Sequence, residues 1–560
     1  MIVLLLLVTA ESLAAEEHSV VAAGAKLERL AGGFGFTEGP ATDAAGNVFF
    51  TDQPNNRIYR WSVDGGLSVF HENPGRANGL YFDRDGNLLA CADLNNELWQ
   101  IDMQGRVTVL VRDYMGKKLN GPNDLWVDRK GGIYFTDPFY YRNYWDRGPM
   151  EQDGQHVYYL RPDSSELIRV TTDLDQPNGI IGTPDGKLLY IADIGAGKTY
   201  VYRINTDGSL SNKTLFCSMG SDGMTIDNRG NIYLTGDGVT VFNLRGQQIE
   251  HIAVPAGWTA NVTFGGRERQ TLFITAQNSL YSLRMQVKGA AIIPDFNGDE
   301  KVDMADFATL AQYWRRDELS VDISPAPLGD RKVDIQDLAV LANYWLKDVL
   351  PVTLGAYWKL DEQEGSIAKN SVSDNHGTVY GEPVWKSAGG KIDGALQFDG
   401  IDDYISTGFV LDPSDDAFSV FAWIKAGAAG RVVISQADGA GSGETWLGAD
   451  PLGGKLMTGL VPPPAGRFVT QPLVSEFVIT DDQWHHIGFA WDGSYRILYV
   501  DGTEVARDKA AQNPLKSADG GMHIGAGKAL DAGIFFSGLI DDVRIYYMAL
   551  TADEIEALVH

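Results

Sequence analysis

At 560 residues the chain exceeds what one hydrophobic core can organise, and 44% hydrophobic residues is enough to build several. Its formal charge of −28 is concentrated in residues 289–560, where 41 acids face 20 bases. That distribution excludes nucleic acid and anionic membrane as partners, because both need a basic footprint, and it suits hard cations.

The apolar run Ile2 to Ala10, followed by small residues through Ala15 and then Glu16 and Glu17, reads as a secretory signal over residues 1–15. The expected location is therefore secreted, extracellular or periplasmic. A short buried strand is the other reading of that run. No later stretch reaches the ~18 apolar residues of a membrane span. With only Cys91 and Cys217 in the chain, disulfides are not the framework of the fold.

Residues 16–288 are built from repeats. GNVFFTD (46–52), GNLLACAD (86–93), GGIYFTD (131–137), GKLLYIAD (186–193) and GNIYLTGD (230–237) recur, with TLFITAQ (271–277) as a degenerate sixth. Apolar runs bounded by turn residues at this spacing predict one four-stranded blade each, hence a six-bladed β-propeller. Residues 24–31 are placed to add a closing strand to the blade at 279–285. Eight residues before the Gly of the first five runs stand Glu38, Asn78, Asn123, Asn178 and Asp222, and Asn261 holds the same phase in the sixth. In a propeller, residues at one phase of the innermost strand ring the central channel. Two carboxylates and four amide oxygens are the donor set of Ca²⁺. The competing reading is that Asn-Gly and Asp-Gly mark turns, which leaves Glu38 unexplained because Glu is a poor turn former. Asp52, Asp93, Asp137, Asp193 and Asp237 end the runs and are read as scaffold, His156 as a blade residue, and both cysteines as small buried hydrophobes.

FTEGP (36–40), NGPND (120–124) with FTDPFY (135–140), QPNGI (176–180) and SDGMTID (221–227) resemble the senescence-marker-protein/gluconolactonase family of regucalcin-like six-bladed propellers. The resemblance implies hydrolysis of a lactone or related ester at a central Ca²⁺, or another divalent cation such as Zn²⁺. It implies Glu38, Asn178 and Asp222 as metal ligands, with Asn123 a ligand directly or through water and also a substrate contact. Asn78 and Asn261 are substrate-pocket candidates. Asp222 is the candidate catalytic base, with attack by Asp222 itself as the alternative. Gly121 departs from relatives that carry a substrate-contacting Arg there, so the particular lactone stays open.

Residues 289–349 contain a duplex. Asp295, Asn297, Asp299, Lys301 (through its carbonyl), Asp303 and Asp306 have the spacing of an EF-hand loop, and the following DFATLAQYW is amphipathic. VDMADFATLAQYW (302–314) is answered by VDIQDLAVLANYW (333–345), where Asp330, Asp334 and Asp337 repeat the later loop positions and Asp322 is available from a longer loop. The duplex resembles dockerin type I modules, which implies Ca²⁺ in the loops and a cohesin-like partner. A Ca²⁺-stapled spacer is the alternative.

Residues 355–560 alternate short apolar runs with turns, predicting an antiparallel β-sandwich of jelly-roll type. LDEQEG, FDGIDDYI and GLIDDVRIYYMALTADEIEAL resemble laminin-G-like, concanavalin-A-like domains, implying a glycan or protein partner. Asp399, Asp402, Asp541 and Asp542 are read as acids in matching turns, and His485 and His486 as packing. The sequence leaves two classes open: a secreted metal-dependent lactonase with accessory modules, or a non-enzymatic adhesion or scaffold protein with a structural Ca²⁺ in the propeller.

Overall fold

In the computed structural model, each repeated run of the first half becomes the second strand of a four-stranded antiparallel sheet. The structure describes residues 19–162, 166–296, 301–324, 326, 328–346, 350–351, 353–439, 443–463, 471–509 and 514–559; the signal-like residues 1–15 and the loop residues Asn297 and Asp299 lie outside them. Blade one runs Thr37–Thr42, Val48–Asp52, Arg57–Trp61 and Leu67–Glu72. Its first two strands are buried throughout while its fourth is largely exposed. Inner strands are sandwiched between neighbouring blades, so they read as continuous apolar runs and not as alternating ones. Five further four-stranded sheets follow, the last being Thr259–Gly265, Thr271–Ala276, Ser279–Arg284 and, from the other end of the chain, Glu28–Gly32. That pairing closes the six-bladed ring as the sequence predicts. Cys91 and Cys217 are buried between blades.

The duplex holds two short helices, Met304–Gln312 and Ile335–Tyr344, around Val302, Leu310, Val321, Val333 and Leu341. Asp303 and Asp334 are their N-caps, and Asp306 and Asp337 complete the capping boxes from position N3. The loop acids are thereby tied to backbone N–H groups. Asp306 accepts from Phe296 (2.7 Å) and Asp303 (2.9 Å). Asp337 accepts from Ile323 (2.7 Å), Ser324 (2.9 Å) and Asp334 (2.7 Å).

Propeller and duplex form one compact unit. Arg84, buried at a turn of blade two, hydrogen-bonds Asp322 and donates to the Leu328 carbonyl (2.8 Å), while Leu328 packs among the apolar residues between blades two and three. Asp322 also accepts from the N–H groups of Asp330 (3.1 Å) and Arg331 (2.6 Å). The extra residues of the second loop thus dock on the propeller, and the oxygens of Asp322 face a guanidinium and two amides.

Residues from Leu350 onward form a second compact unit, a sandwich of two eight-stranded sheets around Trp358, Phe398, Phe418, Trp446, Phe489 and Phe536. Asp541 and Asp542 are not turn residues; they lie buried within the long strand Ser537–Tyr546, where Asp542 bonds Tyr357 and Arg544. Asp399, Asp402 and Asp403 do cluster in a turn, within 4.8 Å of one another. His486 is packing, its ring stacked on Phe421 at 5.3 Å. Among the described residues no helix is long and apolar enough to cross a membrane.

Candidate functional site

The six residues of common phase sit at or just before the start of the six innermost strands, and the contacts between successive strands carry them round a ring. A side chain on Gly39 would meet the Asn78 carbonyl at 2.1 Å, and one on Gly79 the Asn123 carbonyl at 2.5 Å. One on Gly179 would meet the Asp222 carbonyl at 3.1 Å, and one on Gly223 the Asn261 side chain at 1.9 Å. Gly79, Gly179 and Gly223 do not adopt positive φ. The glycines after the ring residues therefore mark the close approach of neighbouring inner strands and not turns, which removes the turn reading of the Asn-Gly pattern. A second link comes from threonines of the repeated runs. Thr51 donates to the Asn78 carbonyl (3.2 Å), Thr136 to that of Asn178 (2.8 Å) and Thr235 to that of Ala260 (2.8 Å).

The ring closes through side chains. Asn261 Nδ2 donates to Glu38 Oε2 (3.2 Å), joining blade six to blade one, and Asn178 Nδ2 donates to Asp222 Oδ1 (2.9 Å). Asn178 also donates to the Tyr140 hydroxyl (2.9 Å). Both amide hydrogens are then used, and its Oδ1 is left buried with no partner among the described residues, as is Oδ1 of Asn78. Burial pushes the Glu38 carboxyl well above its ordinary range, and the nearby Asp222 and Asp124 push it further. Burial also raises Asp222, against the hydrogen bonds from Trp258 Nε1 (2.7 Å) and Asn178 that favour its charged form. Two desolvated carboxylates and two bare amide oxygens fit a hard divalent cation, whose charge would relieve the strain that burial places on the acids.

Four functional candidates escaped the sequence reading. Asp124, beside Asn123, is buried, bonds the Leu125 N–H (3.0 Å) and is pushed up to about 7 by burial. Tyr140, Arg142 and Trp258 stand over the ring. Tyr140 and Arg142 belong to the segment between Ile133–Asp137 and His156–Leu160, which is far longer than its counterparts such as that between Val48–Asp52 and Arg57–Trp61. That length was visible in the sequence and is the usual mark of a functional loop. Trp145 from the same loop fills the space beside Gly121, its ring 3.0 Å from where a Cβ would lie. On the other side of the ring, Asp124, Asn261, Tyr81, Trp126, Arg269 and Leu328 line part of a cavity of about 90 Å³.

A six-bladed propeller that gathers two carboxylates and four amides at its channel defines a class of proteins with an oxygen-lined central site. Residues 36–278 match the family model described as SMP-30/Gluconolactonase/LRE-like region, and they form a domain of that family. Residues 399–556 match the model described as Concanavalin A-like lectin/glucanases superfamily. A gluconolactonase of Zymomonas mobilis is 28% identical over 293 residues, which is 47% of this chain and 82% of that protein. A pentonolactonase of Haloferax volcanii is 24% identical over 240 residues, 41% of this chain and 76% of its own. The solved structure of a gluconolactonase from Xanthomonas campestris has 32% identity, covering 48% of this chain and 91% of that one with a TM-score of 0.45.

Proposed function

We propose that the propeller is a metal-dependent hydrolase of a sugar lactone. The observation that carries this reading is the bare, buried Oδ1 of Asn178, whose amide is oriented by Tyr140 and Asp222 beside a second buried carboxylate, Glu38. The related gluconolactonase and pentonolactonase support it. Glu38, Asn178 and Asp222, with Asn123, would hold the cation, Ca²⁺ or another divalent ion such as Zn²⁺. When bound, such an ion polarises the carbonyl of an ester and stabilises negative charge on its oxygen.

The remaining chemistry belongs to side chains. Asp222 accepts a hydrogen bond on each oxygen, from Asn178 and from Trp258, so its orientation is fixed for work as a base. In this role it takes a proton from water as the water oxygen bonds to the lactone carbonyl carbon. The ring C–O bond then breaks, and the departing ring oxygen takes up the proton to give a hydroxy acid. Asn78, Asn123 and Asn261 orient the substrate. The same reading has the protein secreted, with Ca²⁺ in the duplex loops, the duplex serving a cohesin-like partner and the sandwich a glycan or protein.

The test uses the full chain on a panel of sugar lactones, aryl esters and fluorophosphates, with and without chelator. Turnover of at least one sugar lactone is expected, lost on chelation and restored by a divalent cation. No turnover of any compound would leave the adhesion or scaffold reading in its place.

A further inference from the structure

Three of the acids that end the repeated runs do one job. Asp52 accepts from the N–H groups of Gly35 (3.0 Å) and Phe36 (3.3 Å), Asp137 from Asn120 and Gly121 (2.8 Å each), and Asp193 from Asp175 (2.9 Å) and Gln176 (2.8 Å). Each ties down the segment leading into the first strand of its own blade. Asp93 stands at the same phase of blade two and does something else. Its Oδ2 accepts from Gln53 Nε2 (3.2 Å), from Arg142 Nε (3.1 Å) and from the Tyr144 hydroxyl. A buried scaffold acid has been turned toward the long loop of the next blade.

The consequence of that turn is a fixed arginine. With Nε held, the two Nη groups of Arg142 have no hydrogen-bond partner among the described residues, and the side chain is 25% exposed. Its guanidinium lies 5.2 Å from the ring centre of Tyr140, the residue that bonds Asn178, and it is close enough to Asp222 to favour that carboxylate's charged form. Trp258, 39% exposed, offers an indole face while its Nε1 is bonded to Asp222. Arg142 paired with buried Asp93 is a nearly neutral unit with several donors left in a rigid plane. Such a fork suits neighbouring oxygens of one ligand, and aromatic faces beside it suit the C–H faces of a sugar ring.

We propose that Arg142 determines specificity in this site: its free Nη groups hydrogen-bond hydroxyls of the substrate beside the lactone carbonyl, so that polyhydroxylated lactones are taken in preference to unsubstituted ones. The proposal rests on the lactonase reading above. The bland alternative is that Arg142 only pins its loop to Asp93.

The test compares the full-length protein with Arg142→Gln and Arg142→Lys, in saturating divalent cation, on glucono-δ-lactone and on δ-valerolactone, which lacks hydroxyls. Arg142→Gln is expected to raise KM for glucono-δ-lactone roughly tenfold with kcat changed by less than about threefold. Its kcat/KM on δ-valerolactone should stay within about twofold of the parent, and Arg142→Lys should fall between. Equal losses on both lactones would assign Arg142 to loop support, and no loss on either would remove it from the site; both overturn the proposal. If the parent turns over neither lactone, the lactonase reading fails by itself. Arg142 is then judged by calorimetric binding of glucono-δ-lactam, where a roughly tenfold weakening in Arg142→Gln supports the contact and unchanged affinity refutes it.

Discussion

At the channel ring, Asn178 gives both amide hydrogens away and keeps its carbonyl oxygen bare, while in the second loop of the duplex Asp337 fills both carboxylate oxygens with the N–H groups of Ile323, Ser324 and Asp334. Both residues stand at positions spaced like metal ligands in the sequence. Spacing tells where oxygens gather; it does not tell how much of each oxygen the backbone uses, and Asp337 keeps a lone pair on Oδ2 for the Ca²⁺ proposed in that loop. In the duplex the loop acids double as helix caps. On the inner strands of the propeller the Gly39 and Val262 N–H groups still bond Glu38 and Asn261, but the amide oxygens of Asn78 and Asn178 are left over.

The widest separation between the two regions is expected in turnover. Asp222→Asn should lower kcat/KM on a sugar lactone about a thousandfold, with circular dichroism and melting temperature nearly unchanged. Asp337→Asn should leave turnover within about twofold; a comparable loss there would break the contrast. Next in size is the pH dependence of the metal-free protein. Asp124, pushed up to about 7, and Glu38, also raised, prefer the protonated form when folded. The contribution of both to stability is therefore complete below the ordinary carboxylate range near 4, and that of Asp124 is lost as pH rises through about 7. Denaturant unfolding in chelator should show the propeller losing on the order of 3 kcal/mol over that interval, and Asp124→Asn should flatten the slope.

Asn178→Ala removes the bare oxygen and should weaken cation affinity on the order of 50-fold, read by titrating the metal against activity. An unchanged affinity would show that the oxygen is not a ligand. The smallest effect belongs to the duplex. Asp334→Ala should destabilise the helix Ile335–Tyr344 by about 1 kcal/mol through loss of its N-cap, seen as faster amide exchange there, with turnover unaltered.

The ring was legible in the sequence because one phase recurs in every blade, and a position repeated six times around an axis must converge on it. Closure by residues 24–31 was legible for the same reason, since an incomplete last blade needs a strand from somewhere. Asp124 was hidden by standing next to a phase residue in a single repeat. Tyr140, Arg142 and Trp258 reach the ring from outside the inner strands, so no periodicity announces them. Asp93 looks like scaffold in the sequence, as its four counterparts do, and only the fold reveals that its carboxylate faces another blade. The glycines left a turn open as the competing reading, because a residue demanded by close strand approach looks in sequence like one demanded by a turn.

The closing strand Glu28–Gly32 pairs with Ser279–Arg284, and Glu38 shares a hydrogen bond with Asn261. During synthesis the first of these partners must therefore wait for nearly the whole domain to leave the ribosome. The earlier blades can collapse one against the next as they emerge, but the site with its paired carboxylates exists only once the ends meet. A truncated or stalled chain would carry most of the fold and none of the chemistry, so the buried acids are assembled only in a ring able to hold them.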